Sequence, residues 1–274
     1  MIIAIFFMAI IEGLKNWTMQ MPPLFGIFHI TFLFLTIVSS SLLIHFCRNS
    51  SVKVMKRIVF LTWITIFILE IGKQLICGIF TPEYSWADFP FQFCETPIFI
   101  LPILLFVNNK KVRSAIIAFL CTYVFFAGLA LTLLPLTLLS DSVFFNVRTL
   151  TQHSAQVMIG LYLYSWNRKN FSAHSFTFGS LIFLGLTIVA VILNFTIGKN
   201  VKGFNMFWIS KENPTQLFIL RKLQPNVPYV IFVLSYIFGF AFCAFSSFTV
   251  ETGIYKLWLK YKPEPLDELE TKID

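Results

Sequence analysis

The chain has 274 residues, of which 57% are hydrophobic and only 12% charged, whereas soluble domains carry roughly 25% charged residues. Together with a mean hydropathy of +0.78, this leaves no soluble domain once the apolar runs are set aside, and reads as an all-helical protein that crosses a membrane several times. The net charge of +8 comes without a basic patch interleaved with aromatics, so it is assigned to loops that set topology and not to nucleic-acid binding.

Met1 opens the run MIIAIFFMAII, about half the length needed to span. No basic residue precedes it and no A-x-A-like site follows it, so residues 1–23 read as an interfacial segment and not as a cleaved signal. A helix needs about 20 apolar residues to cross roughly 30 Å of hydrocarbon. The candidates are 24–46, 58–80, 91–107, 112–139, 149–166, 176–198 and 228–250. Pro97 and Pro102 predict a kink in the third, and Gly128 and Pro135 a tilt or break in the fourth. The fold expected is a single seven-helix transmembrane domain over 24–250, followed by a charged tail over 251–274.

Lysine and arginine in the connections give the orientation. Arg48, Lys53, Lys56 and Arg57 follow the first span, Lys110, Lys111 and Arg113 the third, Arg168 and Lys169 the fifth, and Lys256, Lys260 and Lys262 the last. The second connection instead carries Glu83 and Asp88, and the fourth only Arg148. The sixth breaks the pattern with Lys199, Lys202, Lys211, Arg221 and Lys222. This arrangement predicts an N-terminus outside, a cytoplasmic tail and a place in the cell membrane.

In that frame Cys94, His153, His29, Gln74 and Lys73 fall at one depth near the outer boundary, with Glu70 one turn deeper and able to pair with Lys73 at i, i+3. Polar groups in hydrocarbon are costly, so a shared layer is a functional signal. The rival reading is structural: Glu70 and Lys73 as a packing ion pair, Gln152 and Gln156 as interhelical bonds, each His as a satisfied packing residue. Cys47, Cys77, Cys121 and Cys243 read as small buried hydrophobes, and with no CxxC motif neither a disulfide framework nor a metal site is expected. Cys94 stands apart, flanked by Gln92 and Glu95. A thiol becomes a nucleophile when a base or positive charge favours the thiolate, and His153 is the base within reach of that layer.

Three stretches carry a resemblance. FPFQFCETPIFILPILL at 89–105 resembles the LPLxLC signature of the YwaF-like integral membrane proteins. RTLTQHSAQVMIGLYL at 148–163 resembles their later His-containing helix. GFNMFWISKENPTQLFILRKLQPNVPYVI at 203–231 is similar to their NYMFLxxKP loop and the Pro-Tyr that opens the last helix. Eukaryotic relatives in this broad family are ether-phospholipid acyltransferases that move an acyl chain to a lysolipid with a Cys and a His. Cys94 matches the signature Cys, His153 the later His, Gln92 the signature's His or Gln ahead of the Cys, and Asn205 and Met206 the loop motif. Glu95 departs from the pattern, as do the flanking Phe204 and Phe207. The resemblance implies acyl transfer between membrane lipids, from a phospholipid donor to a lysolipid acceptor, with hydrolysis as the same chemistry to water and no cofactor. Gln92, Asn205 or Gln74 would donate to the oxyanion. The alternative is a non-enzymatic transporter or lipid-binding protein whose cavity uses Glu70 and Lys73.

Overall fold

The computed structural model describes residues 2–81, 83–135 and 138–261. The end of the expected charged tail, 262–274, lies outside the described residues. Helix α1 (Ile2–Asn16) leads to α2 (Ile27–Cys47) and α3 (Val52–Ile79). A 3-10 turn, Phe93–Glu95, then opens α4 (Pro97–Phe106). Next come α5 (Lys110–Phe119), a π turn (Leu120–Val124), α6 (Phe125–Leu133) and α7 (Val143–Asn167). The chain closes with α8 (Ala173–Thr196), the short α9 (Phe218–Leu223) and α10 (Tyr229–Tyr261). Residues 251–261 of the expected tail are thus part of the last helix.

Among the described residues, four stretches are long and apolar enough to cross a membrane: α2, the continuous α5–α6 run, α8 and α10. They coincide with four of the expected segments. Helices α3 and α7 have 28 and 25 residues, long enough to cross, but they carry the buried charges. The segment expected at 91–107 differs most. Its helical part, Phe93–Phe106, is interrupted at its start and covers only about 20 Å, because Pro97 begins a new helix at its first position.

Capping explains several boundaries. Ser51 accepts from the Val54 amide, Asn109 from Lys111 and Val112, and Ser142 from Phe145, each satisfying an orphan N–H in a first turn. The break expected near Pro135 occurs: α6 stops at Leu133, since proline offers no N–H to continue the ladder. Gly128 does not break the helix. It makes room for α7, where an added Cβ would come within 2.6 Å of Gln156 Cβ and 3.0 Å of the His153 carbonyl oxygen.

Helix α7 is the centre of the bundle, packing against α2, α3, α5 and α6. That position accounts for its polar sequence: Asn146, Gln152, His153 and Gln156 are buried against other helices. The peripheral helices show the opposite pattern. Phe34, Ile37 and Phe46 on α2, Leu181 and Ile192 on α8, and Phe238 and Phe242 on α10 expose their side chains, as lipid-facing residues do. Loop contacts define two ends. At one, residues 17–19 pair with 141–143, Lys15 reaches the Phe80 carbonyl and Gln92 reaches Asn205. At the other, Ser50 meets Tyr162 and Trp166, and Arg168 meets Asn49 and Trp258.

Candidate functional site

The site lies at the end defined by residues 80–92 and 203–215. Its centre is four buried charges from three distant segments. Glu70 and Lys73 share a face of α3, one turn apart, with Lys73 Nζ 2.8 Å from Glu70 Oε1. The same Nζ lies 2.6 Å from Glu95 Oε1 in the turn before α4. Arg148, in the first turns of α7, bridges the two acids: its Nη2 contacts Glu70 Oε2 and lies 3.0 Å from Glu95 Oε1. Two carboxylates thus face two cations, and neutrality makes such burial tolerable. Gln74 extends the network, donating to Glu70 Oε1 and to the Asp88 carbonyl, both at 2.7 Å, and accepting from Tyr84 Oη. Burial, with the Asp88 charge beside it, pushes the Tyr84 phenol up to about 12, which keeps it a donor.

Glu95 also fixes the turn that presents Cys94. Its second oxygen accepts from the Gln92 amide at 2.9 Å, the carboxylate half of a capping box. The departure from the resemblance at this position is therefore a tie between the 92–95 turn and the ion cluster. On the other side, Gln152 donates to the Cys94 carbonyl at 2.8 Å, and Gln156, one turn on, donates to the same oxygen. Two α7 glutamines therefore clamp residue 94 against the turn of α7 that carries His153.

His153 is buried, and its ring is half satisfied. Nδ1 lies 2.8 Å from the Thr149 carbonyl, which can only accept, so Nδ1 carries the proton. Nε2 is then a bare lone pair, buried and without a hydrogen-bond partner. No hydrogen bond joins it to the partly exposed Cys94 thiol. On α10 the Tyr236 hydroxyl is fully buried and unpartnered.

The other expected site residues divide sharply. Gln92 is buried, donates to the Asn205 carbonyl at 2.8 Å and leaves its own Oε1 unpartnered. Gln74 and Asn205 are committed. The Asn205 side chain accepts from the Ser210 amide at 2.8 Å and donates to the Pro214 carbonyl at 3.1 Å, closing its own loop. Asn194 of α8 holds that loop too, bonding both backbone groups of Met206 at 2.8 and 2.9 Å. Phe207 and Trp208 there adopt a φ of 57°, rare for residues with side chains. His29 is apart from the cluster. Its Nδ1 accepts from the Phe25 amide at 3.1 Å, and its Nε2 donates to the Thr132 carbonyl at 2.8 Å in the last turn of α6.

Sequence reasoning missed two residues. Arg148 reads as a loop charge, yet 148, 152 and 156 recur every four residues and so mark one face of α7, a signal that was present. Tyr236 sits in an apolar run with nothing to distinguish it from a packing aromatic.

Neither a curated protein nor a solved structure matches the chain. The TMEM164 family profile does, over residues 24–246, which takes in α2 through most of α10 and every residue of the site. The chain belongs to the TMEM164 family of transmembrane proteins.

Proposed function

We propose that this protein is a membrane-embedded lipid acyltransferase that works through a thioester on Cys94. The observation that carries the reading is the state of His153. Its ring is oriented by Thr149, and the remaining nitrogen is a buried unpaired base on the turn whose neighbouring glutamines grip residue 94. A buried acceptor without a partner costs about 1–3 kcal/mol, so its retention asks for a use.

In the proposed reaction His153 Nε2 takes the thiol proton and the thiolate attacks the ester carbonyl of a phospholipid. The carbonyl π electrons move to oxygen, where the unpartnered Tyr236 Oη would donate, together with the second N–H of Gln92 Nε2, whose first N–H goes to the Asn205 carbonyl. Gln74 and Asn205 drop out of that role, being fully bonded. Collapse breaks the C–O bond, and the imidazolium returns its proton to the departing lysolipid oxygen. A second lysolipid hydroxyl then gives its proton to Nε2 and attacks the thioester, and the C–S bond breaks to restore the thiol. Water in place of that hydroxyl gives hydrolysis. Glu95, Lys73, Glu70 and Arg148 hold the turn in register.

The same proposal takes seven spans, with α4 the shortest, an N-terminus outside, and the site facing the outer leaflet of the cell membrane. The loop charges support it. The ion cluster does not favour a carrier, because its two acids and two cations satisfy one another. The test is an acyl probe followed by peptide mapping: an adduct on Cys94 is expected, absent in Cys94→Ala, together with acylation of added lysolipid. Native activity in Cys94→Ala ends the covalent mechanism.

A further inference from the structure

Helix α3 carries a second cluster of charge at its other end, roughly 20–30 Å along the helix from the ion cluster at 1.5 Å per residue. Lys53, Lys56 and Arg57 rim a groove of about 730 Å³ whose floor includes Phe60, Leu61 and Phe106. The groove exists because α4 ends at Phe106, leaving the first turns of α3 without a neighbour along that side. Phe60, Leu61 and Phe106 are 46, 61 and 81% exposed. No acidic residue lines the groove, and none of the three cations sits in an ion pair among the described residues. The contrast within one helix is sharp: at the far end Lys73 meets two carboxylates, and here three cations meet none among the described residues.

We propose that this groove is a binding site for an anionic diacyl phospholipid. The phosphate lies between Lys53, Lys56 and Arg57, and an acyl chain lies along Phe60, Leu61 and Phe106. Charge complementarity selects the occupant. Cations that only set topology need no particular arrangement, whereas these three border an apolar trough of the size that holds lipid-like ligands. A neutral zwitterionic lipid fills the trough equally well but leaves the net charge of the rim unmatched. The end concerned is the one that the loop charges assign to the cytoplasm, where anionic lipids concentrate. The inference stands independently of acyl transfer, since none of these residues belongs to the Cys94 site.

The test is lipid retention by the purified full-length protein in native mass spectrometry, with phosphatidylserine and phosphatidylcholine offered together. Retention should favour phosphatidylserine about tenfold or more at low salt, and the preference should shrink as salt screens it. In Lys53→Gln/Lys56→Gln/Arg57→Gln the ratio should fall to about one. A second arm keeps all three cations and places a photoreactive benzoylphenylalanine at Leu61. Crosslinks to phosphatidylserine should exceed those to phosphatidylcholine and should survive an excess of inorganic phosphate or glycerol phosphate. Equal retention of the two lipids by the native chain, an unchanged ratio in the triple variant, or equal crosslinking at position 61 each overturns the site.

Discussion

Two buried histidines sit near the same end of this bundle, and the difference between them separates scaffold from chemistry. His29 uses both ring nitrogens: one takes the Phe25 N–H, the other gives its proton to the Thr132 carbonyl. It staples the start of α2, where Phe25 adopts a φ of 57°, to the last turn of α6. His153 uses one nitrogen and leaves the other buried and bare. Equal burial thus hides opposite states. The first is what a stable fold requires, and the second is a cost that folding alone does not explain.

The largest effect expected from this contrast is on catalysis. Cys94→Ala and His153→Ala should each lower lysolipid acylation at least about a thousandfold, and the double variant should lose little more, because residues acting as a unit are not additive. His29→Ala should keep most of its activity per folded molecule. If its turnover instead falls as far as that of His153→Ala, with folding intact, the two histidines do not differ in the way proposed. Acyl-transfer assays on purified, melt-checked variants decide this.

The ion cluster provides the next effect. Glu95→Gln leaves Lys73 and Arg148 facing one carboxylate in a buried site, while its amide oxygen can still accept from the Gln92 backbone N–H. Breaking such a pair should cost about 3–5 kcal/mol of stability. Lys73→Met alone should cost a similar amount, but the double variant should recover part of it, since one acid and one cation then remain matched. Unfolding in detergent over this mutant cycle checks it. Strict additivity would mean that the cluster is not the coupled unit its geometry describes.

How far the sequence reveals this site depends on the kind of contact. The i, i+3 pairing of Glu70 and Lys73 is visible because it is local. The capture of that pair by Glu95 and Arg148 is not, because it joins residues 22 to 78 positions apart along the chain. Most spans are legible, since apolar length is a one-dimensional property. The 91–107 segment is legible as a short one, whereas Pro97, read as a kink, opens a new helix there. Shared depth groups His29 with His153, yet depth cannot tell which nitrogens are bonded. It also offers Gln74 and Asn205 as oxyanion donors, and only their partners reveal that both are occupied.

A leucine scan of the two histidines takes the comparison down to stability. In His29→Leu the Phe25 N–H and the Thr132 carbonyl both lose their partner, and the carbonyl lies in the last turn of α6, where intrahelical donors are lacking. The expected loss is about 2–4 kcal/mol.

The smallest effect is also the sharpest. In His153→Leu the Thr149 carbonyl keeps its place in the middle of α7, where the backbone ladder continues to serve it, so removing Nδ1–H costs only about 1 kcal/mol. Against this, the orphan Nε2 disappears, and with it a desolvation penalty of about 1–3 kcal/mol. Leucine is branched where imidazole is flat, which gives back a few tenths through imperfect packing. The balance lies within about 1 kcal/mol of zero and leans towards a gain. A variant that melts at or above the native temperature while losing all acyl transfer would carry the mark of a group kept for chemistry at the expense of stability. A loss as large as that of His29→Leu would mean that Nε2 has a structural partner after all, and His153 would then belong with His29 in the scaffold.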